Sequence, residues 1–220
     1  YHALDCTMYM RIAPELYLKR LLVGGFDKVY EIGRNFRNEG LDRTHNPEFT
    51  VLEVYEAYGD RFSMKALIEG LIPTLAEEVL GSLTVTLAAP DGAGETIDLA
   101  PPYREVAYAD LVRERMGTDW FETPLDEVRR RAEAAGVAVD SKMDHLLITH
   151  EVYDKLIEKT LRQPTFVTRL PRQFVPLAKV CEDDPALVDV FEFVVAGKEM
   201  CPGYTENNDP IEQRRRFSEQ

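Results

Sequence analysis

The residues best suited to chemistry lie in two short segments, Arg34–Gly40 and Thr44–Thr50, which precede the end of a strand near Tyr58. Arg37 and Glu39 stand two positions apart, so their side chains share one face of a strand. A guanidinium group can bind two phosphate or carboxylate oxygens at once. The polar loop that follows is long enough to reach over a ligand. This pattern predicts a compact site for a phosphate-bearing nucleotide.

The strand from Glu48 to Tyr58 adds an aromatic ring, a carboxylate and a phenol to that site. With a period of two, one face carries Phe49, Val51, Glu53, Tyr55 and Ala57. A carboxylate within an apolar strand is costly to bury unless something compensates its charge. Glu53 is therefore a candidate ligand for a cationic group, and Tyr55 can line an aliphatic stem beside it.

Three elements must position these residues. The sequence predicts a helix from Pro14 to Val23, then antiparallel strands over Lys28–Asn38 and Glu48–Tyr58. From about Arg61 to Leu161 it predicts mainly helices with one hairpin. The predicted helices cover Met64–Val79, Glu105–Met116, Pro124–Ala135 and Ser141–Leu161, and the other predicted strands are Leu83–Ala88, Thr96–Leu99, Thr165–Thr168 and Val190–Ala196. This mixture predicts an α+β fold.

Composition narrows the class of protein. Hydrophobic residues make up 45% of the 220 residues, and no apolar run or signal peptide indicates a membrane span or secretion. Cys6, Cys181 and Cys201 are odd in number and widely spaced, which is typical of a reducing cytosol. The net charge of −13 argues against a generic nucleic-acid-binding module, which would be basic.

The segments around Arg37 resemble motif 2 of the class II aminoacyl-tRNA synthetases, and they are most similar to the lysyl-tRNA synthetases. Other stretches resemble that family in the same order, and the resemblance is weak only between about Arg61 and Leu161. These stretches are Tyr9–Gly25, Gln163–Phe166, Phe191–Phe193 and Tyr204–Pro210. The resemblance implies one partial catalytic domain over residues 1–220, with an antiparallel sheet flanked by helices and with residues 61–161 inserted between core strands.

The resemblance also implies segments outside these residues. The family's motif 1, which forms the dimer interface, should precede Tyr1, and its motif 3, with a second ATP-binding arginine, should follow Gln220. The family's anticodon-binding barrel is likewise expected to lie outside these residues. We therefore expect a catalytic domain truncated at both ends, inactive alone, whose full-length parent is a homodimer.

The resemblance implies specific roles on the nucleotide side of the site. Arg37 would be catalytic and would contact both the amino-acid carboxylate and the α-phosphate of ATP. Glu39 would lie near the adenine amino group. His45 would approach the ATP phosphates, and Phe49 would stack on adenine.

On the amino-acid side, the resemblance implies a pocket for L-lysine. Glu15 would bind the α-amino group, although on sequence alone it could equally be an exposed first-turn glutamate. Glu53 and Tyr55 would line the side-chain pocket together with Arg37 at the carboxylate. Glu206 would recognise the ε-ammonium group.

Glu192 and Glu199 form a second pair of carboxylates. Glu192 interrupts a run of Val and Phe, which packing alone does not explain. By resemblance, the pair holds Mg²⁺ that bridges the ATP phosphates, consistent with oxygen ligands for a hard cation. Pro202 is a departure, because many family members have an asparagine there that contacts the substrate carboxylate. The other charged runs, Arg129–Arg131 and Arg214–Arg216, are interpreted as solvated helix faces.

The resulting hypothesis is ATP-dependent activation of L-lysine to lysyl-adenylate, followed by transfer to tRNA(Lys), in the cytoplasm. One alternative is the related lysyltransferase that modifies a translation elongation factor, although the loop Gly40–Thr44 favours the tRNA ligase. Another is a non-catalytic binding module derived from a synthetase. The pocket carboxylates argue against such a module, and acids at Glu53 and Glu206 argue against an aspartate or asparagine ligase.

Overall fold

Two long antiparallel strands organise the first part of the chain. The structure is a computed structural model that describes residues 1–38, 40–42, 44–88 and 94–219, without the side chain of residue 219. Backbone contacts divide the chain into two units, Tyr1–Gly59 and Asp60–Gln220. Helices and mainly antiparallel strands in both units confirm the α+β class. The insertion of residues 61–161 into one catalytic domain stays a prediction.

The first unit contains helix α1 (Glu15–Val23) and strands β1 (Lys28–Phe36) and β2 (Glu48–Glu56). The strands pair antiparallel over their whole length. Their odd-numbered residues are more covered than the even-numbered ones at most positions. The predicted strands and the predicted face of β2 are therefore confirmed.

Gly33 leaves space for an arginine side chain on that covered face. Arg11 crosses β1 at this position to pair with Glu31, and its Nε donates to the Arg34 carbonyl oxygen over 3.0 Å. A Cβ atom at Gly33 would lie 2.0 Å from the Arg11 guanidinium. Any other residue would therefore displace the arginine.

The second unit contains the remaining elements. Its helices are α2 (Arg61–Leu75), α3 (Tyr108–Met116), α4 (Leu125–Ala134), α5 (His145–Val152) and α6 (Pro210–Glu219). Its strands are β3 (Thr84–Leu87), β4 (Glu95–Asp98), β5 (Arg104–Ala107), β6 (Thr165–Thr168), β7 (Val190–Val195) and β8 (Lys198–Tyr204). Strands β3 and β4 form a hairpin, and the other four make a sheet in the order β5-β6-β7-β8. In that sheet β5 is parallel to β6, and the other pairs are antiparallel.

Two clusters of buried side chains hold the four-stranded sheet. Helices α3, α4 and α5 surround Trp120, whose Nε1 donates to Thr149 Oγ1 over 2.9 Å. The second cluster packs against α2 and consists of Tyr103, Phe166, Phe191 and Phe193. Alternation along β7 places Glu192 on the opposite face from Phe191 and Phe193. Packing on both faces therefore fixes the strand that carries Glu192.

Two predicted helices were wrong in part, and one strand was not predicted. Arg104–Ala107 is a strand rather than the start of a helix, because it pairs with β6. Helix α5 ends at Val152. It is followed by a π-helical segment, Tyr153–Ile157, and a 3₁₀ turn, Glu158–Thr160. Strand β8 was not predicted because it contains Pro202. Proline is tolerated there because β8 is an edge strand of the sheet.

Among the described residues, no helix has the length and apolar character needed to cross a membrane.

Candidate nucleotide and amino-acid site

Arg37 lies immediately after β1, where its backbone N–H still donates to the Pro47 carbonyl oxygen over 3.0 Å. Its Nε donates to the carbonyl oxygen of Ile12 over 3.2 Å. The guanidinium carbon lies 5.1 Å from the centre of the Phe49 ring, within the range of a cation–π contact. Arg37 is exposed. The structure thus brings the predicted arginine and aromatic ring together.

The loop between β1 and β2 is organised by Asp42. Its Oδ1 accepts hydrogen bonds from the backbone N–H groups of Thr44 and His45, over 2.6 and 2.8 Å. His45 Nδ1 lies 2.8 Å from Oδ2. The bond from the Thr44 N–H, followed by the His45 side chain, lowers the pKa of Asp42. Since Nδ1 is engaged, Nε2 is the ring nitrogen of His45 that can meet a ligand. Glu39 lies outside the described residues.

Sequence reasoning missed Asp42. An aspartate followed two residues later by threonine, between two strands, is a usual signal for a turn closed by the aspartate side chain. That signal would have placed Asp42 as the residue that orients the predicted histidine.

Glu53 and Tyr55 are joined on the covered face of β2. The Tyr55 hydroxyl donates to Glu53 Oε2 over 2.8 Å, and both residues are half-buried. Among the described residues, Glu53 takes part in no ion pair. A half-buried carboxylate held only by a neutral hydroxyl group favours the arrival of a cation, which would offset its lost hydration.

Glu15 is the first residue of α1 and is paired with Lys19, one turn along the helix. Lys19 Nζ lies 2.6 Å from Glu15 Oε1, and the two side chains are 28% and 23% exposed. The same nitrogen lies 5.9 Å from the centre of the Tyr55 ring. Glu15 is therefore largely covered rather than an exposed first-turn residue. Sequence reasoning missed Lys19, which the spacing of four from a glutamate could have indicated.

In the second unit, the structure places Glu192 and Glu199 on the adjacent strands β7 and β8. The Tyr153 hydroxyl donates a long hydrogen bond of 3.5 Å to Glu192 Oε2. Loss of hydration, followed by the charge of Glu199, raises the pKa of Glu192 to about 8. Loss of hydration, followed by the charge of Glu158, also raises the pKa of Glu199. The pair is thus a concentration of negative charge that a cation would relieve.

The donor set limits which metal could bind. The part of the chain that the structure describes contains no group of three or more His, Cys, Asp or Glu side chains arranged for a metal ion. Mg²⁺ commonly uses only one or two protein carboxylates and takes its other ligands from water and phosphate. The pair Glu192 and Glu199 fits that ion better than one that requires a full protein cage.

The raised pKa of Glu192 predicts how stability depends on pH. Between 4.5 and about 8 the folded chain holds a proton on Glu192 that the unfolded chain releases. Metal-free stability should therefore fall as the pH rises through this window. Glu192→Gln stays neutral beside Glu199, Glu158 and Asp154 at every pH. The decrease in Tm with rising pH should therefore be several degrees smaller in this variant, since each kcal/mol of stability shifts Tm by about 2–4 °C in a domain of this size.

Thermal melts from pH 5 to 8 in a chelating buffer check this expectation. Glu182→Gln, at an exposed position, is the matched control and should follow the unsubstituted chain. Identical slopes for all three proteins would contradict the assignment of Glu192.

Glu206 follows the end of β8 and has its backbone fixed by a neighbouring segment. It forms a bridge with Ala178. The Lys179 N–H donates to the Thr205 carbonyl oxygen over 2.7 Å, and the Asn207 N–H donates to that of Leu177 over 2.8 Å. The half-buried Glu206 side chain therefore starts from a defined backbone position.

The expected solvation of Arg214–Arg216 is wrong for Arg216, which is only 5% exposed. Its guanidinium donates to the carbonyl oxygens of Ala178 and Pro176 over 2.6 and 3.1 Å, and it pairs with Glu212. Arg131 is also engaged, with Asp119 and Thr123. Both arginines satisfy loop oxygens that a helix face cannot reveal in a sequence.

Arg216→Met should therefore destabilise the second unit. The change leaves two carbonyl oxygens without their donor and Glu212 without one partner. We expect a loss of about 2–4 kcal/mol, which corresponds to a Tm lower by roughly 4–16 °C. Arg215→Met, on the 44% exposed neighbour, is the control and should change Tm far less. Equal melting temperatures for the two variants would show that the hydrogen bonds from Arg216 to Pro176 and Ala178 do not stabilise the fold.

Comparison with known sequences shows which family the chain matches. Residues 2–220 match the family model described as tRNA synthetases class II (D, K and N). The lysine–tRNA ligase of Shouchella clausii is 46% identical over 221 residues, which cover 100% of this chain and 43% of that protein. The lysine–tRNA ligase of Aquifex aeolicus is 45% identical over 219 residues, which cover 99% of this chain and 36% of that protein. The chain thus spans less than half the length of these relatives.

Proposed function

The chain belongs to the class II tRNA synthetases of the D, K and N group, and on this basis we propose that it activates L-lysine with ATP for transfer to tRNA(Lys). In the first step, an oxygen of the lysine carboxylate bonds to the α-phosphorus of ATP. The bond to the β-phosphate breaks, and pyrophosphate leaves. In the second step, a hydroxyl oxygen at the 3′ end of the tRNA bonds to the lysyl carbonyl carbon. The bond between that carbon and the phosphate oxygen of lysyl-adenylate breaks, and AMP and the hydroxyl proton leave.

One observation supports lysine most strongly within this group. Glu53 is a half-buried carboxylate whose hydrogen-bond partner is the neutral hydroxyl group of Tyr55. An aspartate or asparagine substrate would bring no cation to that position, whereas the lysine side chain ends in one. We assign Glu53 and Tyr55 to the lysine side chain, Glu206 to its ε-ammonium group and Glu15 to its α-ammonium group.

Arg37 is proposed as the catalytic residue. Its planar guanidinium can bridge the substrate carboxylate and the α-phosphate, which repel each other as they approach. The contact with Phe49 and the bond to Ile12 hold the group in place before the substrates arrive. Because the carboxylate is already ionised, no general base is required, and the rate enhancement comes from orientation and charge stabilisation.

The remaining nucleotide contacts follow from the same proposal. Phe49 would stack on adenine, Glu39 would accept from its amino group, and His45 would reach the phosphates. Glu192 and Glu199 would hold Mg²⁺, which supplies positive charge to the ATP phosphates when it is bound. We place the activity in the cytoplasm, in translation, and propose that the complete gene product is a homodimer.

The acceptor separates this proposal from its nearest rival, a lysyltransferase that modifies an elongation factor. The complete gene product is incubated with ATP, Mg²⁺ and labelled L-lysine, and with either tRNA(Lys) or an elongation factor as acceptor. We expect label on tRNA(Lys). Label only on the protein would favour the rival, and lysine-dependent pyrophosphate release without any labelled acceptor would contradict both. Absence of adenylate formation would indicate a non-catalytic binding module.

A further inference from the structure

Lys19 stands among the groups assigned to the amino-acid substrate, yet no substrate contact has been assigned to it. Its ammonium group binds Glu15 Oε1 at 2.6 Å and faces the ring of Tyr55 at 5.9 Å. Tyr55 in turn donates to Glu53 over 2.8 Å. One side chain of α1 therefore links three residues on α1 and β2 that are proposed to hold lysine.

Building on the proposed function, we infer that Lys19 is a positioning residue, which orients Glu15 for the α-ammonium group of lysine. A charge-assisted bond at 2.6 Å restricts the rotation of the Glu15 carboxylate. With Oε1 bound to Lys19, Oε2 is the oxygen that can accept from a ligand. No hydrogen bond to Oε2 is present among residues 1–38 and the other described residues.

Partial burial makes this pair stronger than an ordinary surface ion pair. The side chains of Lys19 and Glu15 are 28% and 23% exposed, so water screens their attraction less than it would on an open helix. The pair also differs from the ion pair of Arg11 and Glu31 in this unit, which lies across Gly33. Lys19 contacts Glu15 and the ring of Tyr55, both of which are proposed to hold the amino acid, so we expect its loss to act on that substrate.

The charge balance agrees with a positioning role. Glu15 and Glu53 bring two negative charges to the first unit, and Lys19 supplies one positive charge to Glu15. Glu53 is left to be neutralised by a cation from the substrate. Without Lys19, Glu15 would rotate more freely, so the α-ammonium group would lose a defined acceptor.

The test compares two ligands in the complete gene product, with Lys19→Met and Lys19→Arg as variants. L-lysine carries the α-ammonium group, and 6-aminohexanoate lacks it. We expect Lys19→Met to raise KM for lysine about tenfold, with KM for ATP unchanged. The inhibition constant of 6-aminohexanoate against lysine-dependent pyrophosphate exchange should stay within twofold. Lys19→Arg, which keeps the charge, should restore most of the lysine affinity.

Two controls make the outcome unambiguous. Arg20→Met changes the neighbouring cation, which lies over Tyr17, and should leave both ligands unaffected. Glu15→Gln should reproduce the selective loss, and its combination with Lys19→Met should cost little more. Equal weakening of both ligands, no weakening, or tighter lysine binding in Lys19→Met would overturn the inference. Absence of lysine-dependent exchange in the unsubstituted protein would instead overturn the proposed function.

Discussion

Arg37→Ala should slow lysine-dependent pyrophosphate exchange by about 100- to 1,000-fold, chiefly through kcat. Removal of one preorganised group that stabilises transition-state charge typically costs about 2.7–4 kcal/mol. Arg37 already rests on Phe49 and is hydrogen-bonded to Ile12, so it requires little reorganisation when the two anions approach. Arg37→Lys should recover little of the rate, because an ammonium group cannot form the planar two-pronged contact.

Arg34→Ala is the matched control. Arg34 lies on β1, three residues before Arg37, on the exposed face of the strand, where it pairs with Glu48 and is 69% exposed. Its loss should change the exchange rate less than threefold, since exposed ion pairs contribute at most about 1 kcal/mol. If Arg37→Ala were as active as Arg34→Ala, Arg37 would have no part in the reaction.

Glu53→Gln should raise KM for lysine by about 100-fold or more while leaving KM for ATP within a few-fold. The amide keeps the shape of the side chain and can still accept from the Tyr55 hydroxyl. Only the negative charge is lost. Removal of one member of a partly buried charge pair costs about 2–5 kcal/mol, most of it because the remaining charge is left without a partner. The measurement is exchange at varied lysine and fixed ATP, and then the reverse.

Glu48→Gln tests whether any charge change on β2 has this effect. Glu48 begins the same strand on the opposite face, and its side chain is 49% exposed. It should behave like the unsubstituted protein. A Glu53→Gln variant with normal KM for lysine would remove Glu53 from the substrate site and would undermine the choice of lysine over aspartate and asparagine.

Strand alternation made the first unit predictable. Every second residue of β2 reaches one face, so Phe49, Glu53 and Tyr55 had to lie together once the strand was recognised. The contacts of Arg37 with Phe49, and of Tyr55 with Glu53, follow directly from that periodicity. The roles of these residues, by contrast, come from the family resemblance and remain proposals.

The missed residues act through partners that the sequence does not place beside them. Arg216 is buried against carbonyl oxygens of residues 176–178, about 40 positions earlier. Strand β5 forms only because it pairs with β6, some 60 positions later. Lys19 and Asp42 bind near neighbours, so helix spacing and turn chemistry could have indicated them. Long-range partners set the rest of the fold.

Pyrophosphate exchange with a panel of amino acids decides whether the proposed site selects lysine for activation. The complete gene product is assayed with ATP and Mg²⁺, and with L-lysine, L-aspartate or L-asparagine as the sole amino acid. We expect exchange with lysine to be at least about 100-fold faster than with either of the others. Faster exchange with aspartate or asparagine would contradict the assignment of Glu53 and the proposed function with it.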